Sequence, residues 1–345
     1  MSSDFRVANE AFRLNSQKLT ETELINLAKE FIDSDEDYKK SFGKFLLEWF
    51  DENEFIELTT SGTTGNPKKI KLLKQAMVNS ALATSEFFHL PQKTKALHCL
   101  STDYIAGKMM LVRALVCGWD LDVVKPESNP LKYNSNTYDF AAMVPLQVEE
   151  SFSELNRIGK IIVGGAKLNF DLIQKLKAIK SEIFETYGMT ETITHVAVKK
   201  IGAEVFSALP GIDFSTDERN CLVINAPKLS SNQIVTNDVV DLVDNHKFIW
   251  KGRFDHVINS GGVKLFPEQI EEKLQNKIKQ RFFVTGLPDE KFGEKLVLVI
   301  EGKPVELNED VFQSLTRFEK PKEIRFVESF SETETGKIKR KDSLK

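Results

Sequence analysis

A run of hydroxyl-bearing and glycine residues, Thr-Thr-Ser-Gly-Thr-Thr-Gly-Asn-Pro-Lys, occupies residues 59–68 and directly follows the strand-like residues 55–58. Glycines let the backbone curl so that successive N–H groups converge on an anion, while hydroxyl groups and a lysine add further donors. A phosphate chain would suit this loop, and a solvated turn is the alternative interpretation. The candidate phosphate-binding residues are Thr60, Ser61, Gly62, Thr63, Thr64, Gly65 and Lys68.

This run is not the phosphate loop of GTPases and ATP-driven motors. Their pattern, GxxxxGK[ST], requires a glycine where this chain has Pro67 and a serine or threonine where it has Lys69. The sequence therefore favours a phosphate-binding loop of another class.

Further polar segments follow along the chain. Residues 161–166 form an apolar run that ends in Gly-Gly-Ala, a turn that allows a flat ligand to approach the backbone closely. Residues 187–192 read Tyr-Gly-Met-Thr-Glu-Thr, Asp238 follows a short β-like run, residues 252–255 read Gly-Arg-Phe-Asp, and residues 335–340 read Thr-Gly-Lys-Ile-Lys-Arg.

In this order and at this spacing, the segments resemble the signature motifs of the adenylate-forming superfamily, which includes acyl-CoA synthetases, luciferases and the adenylation domains of peptide synthetases. The resemblance covers roughly residues 55–345. It implies an acid–thiol ligase that uses ATP and Mg²⁺ to convert a small carboxylic acid into an acyl-adenylate with release of pyrophosphate. The acyl group would then pass to coenzyme A.

The resemblance also implies a role for the first segments after the loop. Gly164, Gly165 and Ala166 would lie against the adenine base, and Tyr187 would pack on it.

The segment after Tyr187 would bind the phosphates. By resemblance, Thr190 bonds the α-phosphate and Glu191 binds Mg²⁺, while Gly188 and Met189 complete this part of the nucleotide site. The chemistry agrees, because a hard cation requires oxygen ligands and an ATP phosphate chain requires charge neutralisation.

Asp238 occupies the position of the aspartate that holds both ribose hydroxyls, for which a carboxylate is a suitable acceptor. The preceding residue is Asn237, where the superfamily has glycine. Arg253 would lie near the ribose, and Asp255 would be the hinge between two domains.

Two features of the C-terminal part complete the resemblance. Gly261 and Gly262 resemble the loop that lines the tunnel for the pantetheine arm of coenzyme A, and Lys337 takes the place of the catalytic lysine. A carboxylate is already deprotonated, so adenylation requires alignment and positive charge rather than a general base.

Apolar runs that alternate with amphipathic segments predict an α/β fold with layered sheets and helices, which then changes to shorter, β-rich segments after about residue 201. We expect a large N-terminal domain over residues 1–251, shortened at its N-terminus, a hinge over 252–255, and a smaller, mobile α+β lid domain over 256–345. The last includes an expected helix near residues 310–318.

Composition limits the alternatives. The chain has 345 residues, with 47 basic and 51 acidic residues and a net charge of −4, so it has no general attraction for nucleic acid. Three isolated cysteines indicate neither a disulfide framework nor a metal site. No apolar run long enough to span a membrane occurs, and a cytoplasmic enzyme is expected. The oligomeric state is left open.

Within the superfamily, the short chain resembles the o-succinylbenzoate–CoA ligases of menaquinone biosynthesis. Typical members have many more residues before the phosphate loop, and Tyr104 stands where the superfamily has a histidine. A dicarboxylic acid would keep one free carboxylate, which requires cationic or donor-rich partners. The candidates for the acid site are Tyr104, Lys108, Arg113 and His195.

Three alternatives stay open. The chain could be a ligase for another aryl or medium-chain acid, an adenylation enzyme that serves a carrier protein, or a degenerate nucleotide-binding protein without activity. A panel of acids, a comparison of coenzyme A with a carrier protein, and a pyrophosphate assay would separate them.

Overall fold

The computed structural model describes residues 8–60, 68–332 and 338–344. An antiparallel pair of helices opens the fold, and Thr20 caps the first through a capping box with Glu23. The ammonium group of Lys74 is fully buried and lies 2.7 Å from Asp51 Oδ1, so that an ion pair joins the end of the second helix to the start of the third.

Helices and strands alternate as far as residue 188, as the sequence predicts, and from there to residue 253 strands follow one another without a further α-helix. The helices are α1 (Glu21–Ile32), α2 (Asp37–Phe50), α3 (Lys74–Phe88), α4 (Ile105–Cys117), α5 (Pro145–Glu150) and α6 (Phe170–Leu176). The strands are β1 (Arg13–Leu14), β2 (Phe55–Thr60), β3 (Lys68–Leu73), β4 (Lys95–His98), β5 (Asp120–Val123), β6 (Tyr138–Met143), β7 (Ile158–Val163), β8 (Glu182–Gly188), β9 (His195–Lys200), β10 (Val205–Ala208), β11 (Asp213–Thr216), β12 (Cys221–Asn225), β13 (Ile234–Asp244) and β14 (Lys247–Arg253).

Twelve of these strands form one sheet in the order β1-β5-β4-β6-β7-β8-β9-β10-β14-β13-β12-β11. From β1 to β8 the neighbours are parallel, and from β8 onwards they are antiparallel. The predicted β-rich segment is the antiparallel half of this sheet. The carboxyl ends of the parallel strands share one edge, where open α/β sheets bind their ligands.

Helices cover both faces of the parallel half. Along β6, Phe140 and Ala142 join the core that contains α1 to α4, whereas Ala141 and Met143 join the core that contains α5 and α6. The side chains of a strand point alternately to its two faces, so strands buried on both sides read as continuous apolar runs. The predicted α/β layering is confirmed.

The strands β2 and β3 form a separate antiparallel hairpin, in which Thr60 pairs with Lys68. The predicted strand before the phosphate loop is therefore present.

The C-terminal part has its own sheet, built from β15 (Ile258–Ser260), β16 (Val263–Leu265), β17 (Phe282–Asp289), β18 (Gly293–Glu301) and β19 (Glu323–Val327), with helix α7 (Pro267–Leu274) packed on it. The expected helix near residues 310–318 is wrong, because the chain makes only a 3-10 turn at Glu309–Phe312. Three apolar residues in contact with the core, Val311, Phe312 and Leu315, suffice to anchor such a turn. Within the described ranges, no helix is long and apolar enough to cross a membrane.

Candidate active site

A cavity of about 270 Å³ opens at the carboxyl ends of β4, β6, β7 and β8. The strand ends meet there with the first turns of α4 and the segment between β8 and β9. Seven residues that the sequence assigns to a site line it: Arg113, Gly164, Gly165, Gly188, Met189, Thr190 and His195. Segments that are far apart in the sequence thus form one site.

The remaining wall is mostly apolar. Leu100, Ile105, Met143, Val144 and Ile162 contribute to it. This wall favours a ligand with an apolar body.

The turn after β7 favours glycine at both of its glycine positions, for different reasons. Gly165 has a φ of +88°, a conformation that favours glycine, and a Cβ on Gly164 would lie 2.6 Å from Thr186 Oγ1. The two glycines expose backbone at the cavity wall, which suits the close approach of a flat ring. Ala166, the third residue of the predicted adenine turn, is exposed and is not among the cavity-lining residues.

The segment between β8 and β9 contains a strained turn. Ile193 has φ +68° and ψ −58°, and the Thr194 N–H donates to the Thr192 carbonyl oxygen at 2.8 Å, which defines a γ-turn. The Thr192 hydroxyl stabilises it by accepting from the Met189 N–H at 2.9 Å. Backbone strain of this kind clusters at functional sites, and nothing in the sequence reveals it.

Glu191 is exposed next to this turn. Among the described residues, no group of three or more acidic, histidine or cysteine side chains could hold a metal ion. A lone carboxylate nevertheless fits Mg²⁺, which is typically bound by one or two carboxylates together with substrate phosphates and water.

A buried polar cluster lies at the cavity wall. Arg113 on α4 and His195 at the start of β9 are almost completely buried, with 1% and 5% of their surfaces exposed. Arg113 Nη2 donates to His195 Nδ1 at 3.4 Å, and Arg113 Nε donates to Thr84 Oγ1 at 3.4 Å. Burial, followed by the charge of Arg113, holds the pKa of His195 well below its usual range, so the imidazole is neutral.

The charge on Arg113 has no acidic partner among the residues that the structure describes. Within the described part of the chain, no carboxylate lies within ion-pair distance of its guanidinium, although burial lowers the pKa of Arg113 only to about 10. Arg113 is therefore charged at neutral pH. A buried, uncompensated charge is costly, and a ligand carboxylate would compensate it.

The structure does not bring the other two acid-site candidates into the cavity. Lys108 points to α2, where its ammonium group lies 3.5 Å from Glu48 Oε2 and 4.3 Å from the ring centre of Phe45. Tyr104 precedes α4 and is 69% exposed. Neither residue lines the cavity, and the start of α4 contributes Ile105 and Ala106 to its wall instead.

Asp238 lies beside the cavity rather than in its wall. It accepts hydrogen bonds from the Tyr187 hydroxyl at 2.7 Å and from Trp250 Nε1 at 3.1 Å, and Arg253 Nη1 is 3.9 Å away. Burial and the nearby carboxylate raise the pKa of Tyr187. Three predicted nucleotide-site residues from β8, β13 and β14, namely Tyr187, Asp238 and Arg253, thus lie together around the Asp238 carboxylate. Trp250 is a further partner of this carboxylate that the sequence did not identify.

The predicted hinge and tunnel residues lie further along the chain. Arg253 Nε donates to Asp255 Oδ1 at 3.2 Å, just before the first strand of the C-terminal sheet. Gly261 and Gly262 form the two-residue connection of the β15–β16 hairpin, with φ values of +59° and +83°. Positive φ at both positions is the geometry of a tight hairpin turn and favours glycine.

Several predicted site residues lie outside the described residues. They are Ser61, Gly62, Thr63, Thr64, Gly65 and Lys337, together with the side chains of Thr60 and Lys68. Their roles stay predictions.

Replacing Gly188 by alanine is expected to destabilise the protein by about 1–3 kcal/mol and to impair acid activation. The new Cβ would lie 2.3 Å from the Thr194 carbonyl oxygen and 2.6 Å from His195 Cα, so backbone would have to move. Denaturant unfolding and pyrophosphate release measure the two effects. The control is Gly159→Ala, whose nearest contact would be 3.1 Å, outside the cavity. Wild-type stability and activity of the Gly188 variant would contradict this account.

The open sheet, the glycine-lined cavity and the buried cation are typical of an α/β enzyme with its site at the strand ends. A model of the AMP-binding enzyme family matches residues 33–219, more than half of the chain, and the chain belongs to this family.

Two relatives are similar over most of the chain. The 2-succinylbenzoate–CoA ligase of Lactococcus lactis is 24% identical over 322 residues, which cover 85% of this chain and 71% of that protein. The 2-succinylbenzoate–CoA ligase of Escherichia coli is 26% identical over 301 residues, covering 81% and 66%. The chain thus spans about two thirds of the length of these relatives.

Solved structures are also similar to this chain. An acyl-CoA synthetase (AMP-forming)/AMP-acid ligase II-like protein from Dyadobacter fermentans is 36% identical, with a TM-score of 0.63 over 92% of this chain and 97% of that one. The o-succinylbenzoate CoA synthetase of Bacillus subtilis, in complex with an acyl-adenylate, is 16% identical with a TM-score of 0.78 over 96% and 95%, a likeness of fold. The predicted adenylate-forming class is confirmed: the chain is an AMP-forming acid–CoA ligase that uses ATP, Mg²⁺ and coenzyme A.

Proposed function

We propose that the chain activates an acid with a second carboxylate, and that o-succinylbenzoate, the acid of menaquinone biosynthesis, is its substrate. The observation that carries this proposal is Arg113, a buried and charged side chain in the cavity wall without an acidic partner among the described residues. The names of the two similar ligases favour the same acid.

The shape of the cavity fits such an acid. Its apolar residues would surround an aryl ring, and Arg113 would bind the carboxylate that does not react. A guanidinium has five N–H groups, and Thr84 and His195 use two of them. Three are left among the described contacts, enough for the bidentate binding of a carboxylate.

The reacting carboxylate would attack the α-phosphorus of ATP in line with departing pyrophosphate. In this proposal Thr190 bonds the α-phosphate, Glu191 holds Mg²⁺ and Asp238 holds the ribose. Bound Mg²⁺ would neutralise charge on the phosphates. Residues 60–68 would bind the β- and γ-phosphates, and Lys337 would stabilise the developing negative charge.

The second half-reaction would follow a rotation of the C-terminal part about Asp255. That rotation would remove Lys337 and bring the turn of Gly261 and Gly262 to the acyl-adenylate. The thiol of coenzyme A would then attack the acyl carbon, and the acyl–phosphate bond would break to release AMP. The isolated cysteines and the use of ATP and coenzyme A support a cytoplasmic location, which is part of this proposal.

The test is the release of pyrophosphate from ATP with three matched acids in the presence of coenzyme A. They are o-succinylbenzoate, benzoylpropionate, which lacks the ring carboxylate, and ortho-butyrylbenzoate, which lacks the aliphatic one. We expect o-succinylbenzoate to have the highest kcat/KM, by at least ~10-fold, since a buried charge pair contributes more than 1.4 kcal/mol. Equal or higher kcat/KM with a monocarboxylic acid would overturn the proposal in favour of another acyl-CoA ligase.

A further inference from the structure

Thr84 lies within α3, with none of its surface exposed, and belongs to no recognised motif. Its hydroxyl lies at the centre of the polar cluster at the cavity. Thr84 Oγ1 is 3.4 Å from Arg113 Nε, 3.4 Å from His195 Nε2 and 3.0 Å from the Ser80 carbonyl oxygen. It is therefore the atom through which the two cavity residues are joined to α3.

The hydrogen bonds of this cluster have one consistent assignment. A threonine hydroxyl donates one hydrogen bond and can accept two. The carbonyl oxygen of Ser80 accepts the hydroxyl proton, so the two N–H groups of Arg113 and His195 must donate to the oxygen. His195 then carries its proton on Nε2, and its free Nδ1 accepts from Arg113 Nη2.

This arrangement is a closed ring of three side chains. Arg113 is fixed at two of its nitrogens, Nε and Nη2, by partners from α3 and β9. Two fixed nitrogens determine the plane of a guanidinium, because the group is rigid and flat. The remaining N–H groups are thereby fixed relative to the cavity.

We propose that Thr84 is a positioning residue that sets the specificity for the second carboxylate by fixing the plane of Arg113 and the tautomer of His195. The inference rests on the proposed binding of a dicarboxylic acid. A carboxylate requires two N–H groups in its own plane for bidentate binding, and the hydroxyl of Thr84 provides that alignment without touching the acid.

A packing role for Thr84 predicts the opposite order of activity for two variants, Thr84→Val and Thr84→Ser. Valine keeps the shape of threonine but replaces the hydroxyl by a methyl group, whereas serine keeps the hydroxyl and loses the methyl group. If Thr84 positions Arg113, Thr84→Ser retains the wild-type specificity and Thr84→Val loses it. If Thr84 is a packing residue, Thr84→Val is neutral and Thr84→Ser is impaired.

The experiment compares kcat and KM for o-succinylbenzoate, benzoylpropionate and ATP in the wild type, Thr84→Val, Thr84→Ser and Arg113→Met, with thermal unfolding of each. We expect Thr84→Val to raise the KM for o-succinylbenzoate by ~10-fold or more, because two buried N–H donors lose their acceptor. The KM values for benzoylpropionate and ATP should change little, and Thr84→Ser should behave as the wild type. If Thr84→Val does not fold, Thr84→Ala and Thr84→Ser provide the same comparison.

The outcomes separate the two proposals. A Thr84→Val protein with the wild-type preference, or Val and Ser variants that are equally impaired with both acids, would overturn the role of Thr84. An Arg113→Met protein that still prefers o-succinylbenzoate would overturn the proposed dicarboxylic substrate, and the role of Thr84 with it.

Discussion

Replacing Arg113 by methionine is expected to lower kcat/KM for o-succinylbenzoate ~10²–10³-fold, because removing one partner of a buried charge pair typically costs 2–5 kcal/mol. Methionine fills a similar volume and removes the charge. Arg113 has no acidic partner among the described residues. Its replacement therefore leaves no carboxylate of the protein buried without a counter-charge. The carboxylate of the substrate should be the one charged group that loses its partner, while His195 and Thr84 each lose one hydrogen bond. Pyrophosphate release with o-succinylbenzoate and benzoylpropionate measures the effect, and benzoylpropionate should be affected only slightly.

Lys108→Met is the matched control. This lysine lies on the same helix and is also buried, but it pairs with Glu48 and does not line the cavity. Its replacement should reduce stability and leave the preference between the two acids unchanged. A loss of preference in Lys108→Met, together with wild-type preference in Arg113→Met, would assign the second carboxylate to the other cation.

Replacing Lys337 by alanine is expected to lower acid-dependent pyrophosphate exchange ~10²–10³-fold, the usual cost of losing one donor to a developing negative charge. Formation of the thioester from supplied acyl-adenylate and coenzyme A should persist, since the proposed rotation removes Lys337 before that step. Measuring the two half-reactions separately tests both statements.

Lys339→Ala provides the control for this lysine. Lys339 is exposed and two residues away in the same basic segment, so its replacement tests whether any loss of charge near the C-terminus has the same effect. Normal pyrophosphate exchange in Lys337→Ala, or equal losses in the two variants, would contradict the assigned role.

The fold was predictable where local pattern and tertiary structure agree. The alternation of apolar runs with amphipathic segments predicted the α/β sheet and its helices. Buried strands such as β6 and β7 read as apolar runs because helices cover both of their faces. The predicted helix near residues 310–318 failed because a short segment with three apolar residues in contact with the core gains too little from burial to complete a helix.

The sequence predicted the motifs of the candidate site but not the hydrogen-bond network that joins their side chains. Arg113 and His195 were suggested by charge alone, together with Lys108, and their sequence positions do not show which helix face meets the cavity. The contacts that distinguish Arg113 and His195 from Lys108 are long-range. His195 contacts Arg113, which is 82 residues away in the sequence, and Thr84, which is 111 residues away. Thr84 and Trp250 carry no local signal, because their roles come from strands and helices that meet only in the folded chain.

On the proposed function, this protein adenylates one carboxylate of a dicarboxylic acid. The most direct test is a reaction of ATP and coenzyme A with o-succinylbenzoate labelled with oxygen-18 in its carboxylates, followed by mass spectrometry of the products. An acyl-adenylate mechanism predicts AMP that carries one labelled oxygen, because the attacking oxygen stays on phosphorus when the thiol displaces AMP. Unlabelled AMP, or ADP with the label in inorganic phosphate, would contradict it.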